Sequence, residues 1–292
     1  KKNEGRHIIT TAMEHHAILH TCAKLEKQGF LVTYLEPDSD GLISLERLEA
    51  AIRPDTILIS VMFANNEIGT IEPIRDIGTI AKKHNILFHT DAVQAYAHIP
   101  IDVEEMNIDL LSASGHKFHS PKGCGFLYIK NGIKLKAFIQ GGAQERKRRA
   151  GTENLPAIIG MATAAKKSFD RLDEDRIKVT ALRDHMISRL MNEIPSAHIN
   201  GSLSHRLPGN VNVTIPNMDG ELLLIMLDQR GICASSGSAC ASGSIDPSHV
   251  LLSLGLSHEL AHSSLRLSLD ASNTLEEVDF VVDQLVEITK KL

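Results

Sequence analysis

No stretch of this sequence is apolar for long enough to cross a bilayer as a helix, so a helical membrane protein is excluded. An excess of basic charge is missing too. The formal net charge is −5, which gives no electrostatic reason to expect nucleic acid or an anionic membrane as a partner. Cysteine is scarce: Cys22, Cys124, Cys233 and Cys240 are scattered, with no CxxC pair and no dense framework. That usage predicts free thiols in a reducing compartment, the cytoplasm or an organelle like it, and no metal site. The opening KKNEGRHIITT has neither a signal-peptide core nor an initiator methionine, so upstream residues are expected to be missing. Tandem repeats and low-complexity linkers are absent. So are the glycine-rich phosphate loops GxxxxGK(S/T) and GxGxxG.

What is present is an ordinary globular composition, 42% hydrophobic and 23% charged, on a 292-residue chain able to bury a substantial core. The first half alternates strand-like and helical segments. HIITTAM, FLVTYL, TILISVMF, ILFHTDAV, IDLLSASG and GFLYIK read as strands. HHAILHTCAKLEKQG, SLERLEAAIR (begun by Ser44) and IRDIGTIAKKHN read as helices. Such alternation predicts an α/β fold with a mainly parallel sheet covered on both faces. Beyond about residue 155 a long helical region leads to the strand NVNVTI, the helix GELLLIMLDQRG, a Ser/Gly-rich stretch around Cys240, the strand SLRLSL and a last helix. Thr274 and Glu277 are placed to form a capping box for that helix. A large domain over 1–170 and a smaller α+β domain over 171–292 are expected.

In parallel α/β sheets ligands gather at the carboxyl ends of strands. Those ends carry ANNEIG, then Asp91 with Gln94 one turn on, then Ser114, His116 and Lys117. An acid and a lysine at successive strand ends meet the needs of pyridoxal phosphate, which requires an amine for its aldehyde and a carboxylate for its ring nitrogen. Taken singly, Asp91 reads as a helix cap and Lys117 as a solvated loop lysine.

The segments EHHAIL, NNEIGTI, HTDAVQ, SASGHKFHSPKG, GGAQERKRRAGTEN, SSGSACASGS and AHSSLRLSL occur in this order between residues 14 and 269, within a likeness that runs from residue 7 almost to the end. Together they resemble the cysteine desulfurases of the NifS/IscS type, pyridoxal phosphate enzymes of the aminotransferase class V with the aspartate-aminotransferase fold (fold type I). The resemblance implies that Lys117 bonds the cofactor and later moves a proton at the substrate Cα. Asp91 would pair with the ring nitrogen, Gln94 would reach the ring oxygen, and His15 would stack on the ring and act in acid–base steps. Ser114 and His116 would bind the cofactor phosphate, with Thr152 reaching it from a neighbouring subunit of a homodimer. Asn66, in preference to Asn65, and Arg266 would hold the carboxylate of L-cysteine. Cys240 would take the sulfur as a persulfide, leaving L-alanine, and deliver it to an acceptor such as an iron–sulfur scaffold or a thiolation protein.

Other positions have blander expectations. His16 reads as a surface residue, Cys22 and Cys233 as core, and Cys124 has no role in the family pattern. The basic run 145–149 reads as a solvated loop or a dimer contact rather than a nucleic-acid patch. Relatives carry a segment before HIITT with a Gly-Ala-Thr-Glu turn for the phosphate, which these 292 residues do not include. Two alternatives accompany the desulfurase reading: a selenocysteine or cysteine-sulfinate lyase of the same fold, and an impaired fragment that acts as a binding partner.

Overall fold

The computed structural model describes residues 5–236 and 247–291. The chain alternates from the start: β1 (His7–Thr11), α1 (His16–Glu26), β2 (Leu31–Leu35), α2 (Leu45–Ala50), β3 (Thr56–Ser60), α3 (Ile74–Lys83), β4 (Leu87–Asp91) and β5 (Leu110–Ser114). A 3-10 turn, Gly115–Phe118, leads into β6 (Gly125–Ile129). These strands form one sheet in the order β2-β1-β3-β4-β5-β6. The first five are parallel and β6 runs antiparallel to β5, which gives the mainly parallel sheet expected of the alternation.

Local sequence explains the elements. In α3, Ile74, Ile77, Gly78 and Ala81 recur at helical spacing and are buried, while Lys82 and Lys83 oppose the negative end of the helix dipole. Ser44 caps α2 by accepting the Arg47 N–H, as its position in the sequence suggests. The central strands bury Ile9, Ile59, Phe88 and Leu111 in a first core.

The rest of the chain adds α4 (Gln144–Lys147), α5 (Leu155–Asp170), α6 (Leu172–Glu193), β7 (His198–Ile199), β8 (Asn210–Thr214), α7 (Gly220–Asp228), β9 (Ser235–Ser236), α8 (His249–Ser253), α9 (His258–His262), β10 (Ser264–Ser268) and α10 (Leu275–Thr289). A second, antiparallel sheet has the order β7-β8-β10-β9. Its Val211, Val213, Leu265 and Leu267 meet α6, α7 and α10 in a second core. The Thr274–Glu277 capping box opens α10.

Apolar packing and hydrogen bonds both join the halves. Val250, Leu251, Leu254 and Ala261, late in the sequence, pack into the first core. The polar face of β8 supplies Asn210 and Asn212, whose side-chain amides both donate to the Glu67 carbonyl at 3.0 Å. The loop after β3 is thereby fastened to the second sheet.

Candidate active site

The carboxyl edge of the large sheet is where the expected residues collect. Asp91 ends β4 and pairs in register with Ser112 of β5, so the two strands finish side by side. Two residues beyond Ser112, β5 ends at Ser114 and the turn that carries Lys117 begins. This turn is tightly made. Gly115 N–H donates to the Cys124 carbonyl at 2.9 Å, and Ser120 N–H donates to the Gly115 carbonyl at 3.1 Å. A Cβ on Gly115 would lie 2.8 Å from Ser120 Oγ, so the close approach requires glycine. Phe118 is buried against Tyr96 and anchors the turn, whereas Lys117 is exposed.

Lys117, Gln94 and Asn66 line one cavity of about 910 Å³, together with His98, His119 and Asp270. Asp91 does not line it; it is half-buried, with Oδ1 accepting the Val93 N–H at 3.0 Å. Burial pushes its carboxyl above the usual range, while the Val93 bond and the neighbouring His15 act in the opposite direction. His15 itself caps α1: its Nδ1 accepts the Ala17 N–H at 3.1 Å, which leaves the ring proton on Nε2. The helix-cap role and the position beside Asp91 therefore coexist.

Ser114 Oγ and His116 Nδ1 are hydrogen-bonded at 2.8 Å, beside the cavity rather than in its lining. Arg266, in the middle of β10, donates from Nη1 to the Asn66 carbonyl at 3.2 Å. Thr152 is exposed in the loop before α5 and is not brought to this edge within the chain. Cys240 lies outside the described residues.

The structure separates the two asparagines. Asn65 is fully buried; its amide donates to the Met13 carbonyl at 2.9 Å and its oxygen accepts the Glu67 and Ile68 N–H groups at 2.8 and 3.1 Å. Every polar atom of Asn65 is thus occupied in shaping the loop, and Asn66 is the one turned to the cavity.

Two expectations need correction. His16 is half-buried, not a plain surface residue, because its ring lies against His20 and His249 at centroid distances of 5.0 and 4.6 Å. Cys233 is exposed, not core, since it sits in the short stretch after α7 where only Ile232 turns inward. Cys22 is buried as expected, and burial pushes its thiol up to about 11.

Sequence reasoning passed over Glu67, His98, His119 and Asp270. Glu67 accepts a bond from Ser248 Oγ, and burial pushes its carboxyl up to about 7, against the pull of Ser248 and Arg266. His119, whose backbone is left-handed at φ 67°, pairs through Nε2 with Asp270 Oδ2 at 3.1 Å. That contact links the lysine turn to the end of β10. His119 stands inside GHKFHSPKG and Glu67 inside NNEIGTI, and both could have been singled out from those segments; nothing in the sequence marks His98 or Asp270.

Comparison with known proteins agrees with this geometry. The profile of the Aminotransferase class-V family matches residues 1–281. The chain is 56% identical over 291 residues to cysteine desulfurase IscS of Methanosarcina thermophila, covering 100% of this chain and 72% of that protein. It is 56% identical to cysteine desulfurase IscS of Clostridium botulinum, covering 99% of this chain and 74% of the other. Among solved structures a NifS-like protein superposes with a TM-score of 0.92 at 40% identity, over 100% of this chain and 77% of that one.

Proposed function

The chain belongs to the class-V aminotransferase family and, within it, to the cysteine desulfurases, and we propose that the edge built by Asp91, Gln94 and Lys117 is where it takes sulfur from L-cysteine. The family works with pyridoxal phosphate. The residues present suit that cofactor: a half-buried acid that lacks a full cationic partner, an exposed lysine on the adjoining strand end, and a Ser–His pair able to face an anion. Lys117 would hold the aldehyde carbon, Asp91 the ring nitrogen, Gln94 the ring oxygen, and Ser114 with His116 the phosphate, with Thr152 contributed across a homodimer. When bound, the cofactor supplies a place for the electron pair left as a bond to the substrate Cα breaks.

The chain's own residues do the rest. Arg266 and the Asn66 side chain bind the carboxylate of L-cysteine, the planar guanidinium through paired hydrogen bonds. Lys117 takes the proton from Cα and returns one during product formation. His15, whose Nδ1 accepts from the helix backbone, would have Nε2 free to serve in acid–base steps beside the cofactor. Cys240 accepts the substrate sulfur as a thiolate; its S–S bond forms as the substrate Cβ–S bond breaks, leaving an enzyme persulfide and L-alanine. The persulfide then passes sulfur to an acceptor, an iron–sulfur scaffold or a thiolation protein, in a reducing compartment. No helix among the described residues is long and apolar enough to cross a membrane. Division of the chain into domains at 170/171 belongs to the same reading, with α8 and α9 leaning back onto the first core.

The observation that carries this reading is the pairing of β4 with β5, which sets Asp91 and the Lys117 turn on one sheet edge. Purified protein is expected to show a visible absorption band from its lysine-bound cofactor and to form alanine from cysteine. Lys117→Ala abolishes both; a band that survives this change contradicts the assignment.

A further inference from the structure

A second set of ring nitrogens lies beside the first turn of α1. His16 and His20, four residues apart on one face of that helix, hold their rings 5.0 Å apart. His249, the first residue of α8, brings its ring to 4.6 Å from that of His16. Core packing does not demand this meeting, because α8 buries Val250 and Leu251 and α1 buries Cys22.

The chemistry of the rings is also set. His249 Nε2 lies 3.0 Å from the Glu14 carbonyl. A carbonyl only accepts, so the proton is on Nε2 and the lone pair on Nδ1. A backbone carbonyl fixing one nitrogen while the other stays free is the usual support of a metal-ligating histidine.

We propose that His16, His20 and His249 bind one divalent first-row transition ion of the zinc, cobalt or nickel kind. With metal–nitrogen bonds of about 2.0–2.1 Å, two imidazoles on one ion have ring centroids roughly 4.5–5.5 Å apart. The separations of His16 from His20 and of His16 from His249 fall in that window, which makes His16 the ring the other two share. His15 does not belong to the set: its ring is 6.3 Å from His16, and its Nδ1 is taken by Ala17. The rings of His16 and His20 are now stacked at 20°, and among the described residues no group of three His, Cys, Asp or Glu side chains is placed, as it stands, to hold a metal ion. Closing the site takes a turn of the half-buried His16 ring and the exposed His20 ring about χ2, a broad torsion. Three imidazole nitrogens suit borderline ions, whereas calcium and magnesium want oxygen. A bound ion would tie the start of α1, one residue from His15, to α8.

The test does not depend on desulfurase turnover. Zinc is titrated calorimetrically into the full protein carrying Cys240→Ser, so that this thiol supplies no ligand, and cobalt is titrated in parallel with its visible absorption as the readout. One ion per chain is expected, bound at least tenfold more weakly after His20→Gln or His16→Gln and unchanged after His258→Gln, an exposed histidine on α9. His20 is exposed, so its variant is expected to fold. Absence of 1:1 binding, or affinity that both the His20 and His16 variants leave unaltered, overturns the proposal.

Discussion

Arg266 donates a hydrogen bond of 3.2 Å to the carbonyl of Asn66, a residue 200 positions away in the chain. The bond runs from the second sheet to the loop that follows β3, alongside the amides of Asn210 and Asn212 on the Glu67 carbonyl. One short loop thus receives three donors from the small sheet. The guanidinium is consequently held against the backbone of Asn66, a residue that lines the cavity, and the proposed carboxylate-binding role of the two residues can be tested there.

Arg266→Ala is expected to raise KM for cysteine by about 10- to 100-fold, because a hydrogen bond to a charged group contributes about 1.5–3 kcal/mol. Arg266→Lys keeps the charge but not the fork and should fall in between. Steady-state alanine formation measures both, and an unchanged KM would argue against carboxylate binding here.

Asp91→Asn keeps an acceptor for the Val93 N–H but cannot hold a proton-bearing ring nitrogen by charge. Cofactor is expected to stay bound while kcat drops by about 100-fold or more. Absorbance of the purified variant and its alanine yield separate the two effects.

Glu72 tests the electrostatics of the core. Its Oε2 accepts the Ile43 N–H at 3.1 Å, and burial pushes its carboxyl up to about 8. An unfolded chain releases that proton near pH about 4.3. The folded state therefore binds the extra proton in between, so this contribution to stability is full below the unfolded value and is lost as pH rises toward 8. Glu72→Gln removes the ionisation, and denaturant unfolding at pH about 5 and about 8 should show the variant gaining on the wild type at the higher pH. A difference that stays constant across the interval would contradict the assigned burial.

The cysteines should react unequally. Cys233 is exposed, whereas Cys22 is buried with its thiol pushed up to about 11. Brief alkylation of native protein followed by peptide mapping is expected to label Cys233 and spare Cys22 until denaturant is added. Equal labelling would mean that α1 opens readily.

Strand–helix alternation and the strand ends were legible in the sequence because period and turn chemistry are local properties. They were enough to place Asp91, Gln94 and Lys117 at one edge. Other features depend on which side of a residue the rest of the chain covers. Asn65 and Asn66 are identical in type, and only the fold turns one into the loop and the other to the cavity. Cys233 follows an apolar helix and looked like core, yet the chain leaves the second core directly after Ile232. Glu67 and Glu72 are acids in a stretch where nothing local forecasts their burial. The meeting of His16 with His249 joins positions 233 apart by number and has no signature in either neighbourhood.

Borohydride reduction of the native protein, followed by digestion and mass spectrometry, addresses the central claim most directly. A pyridoxyl phosphate group fixed to the peptide that carries Lys117, and to no other lysine peptide, is the expected result. Its absence, or its appearance at a different lysine, would contradict the account.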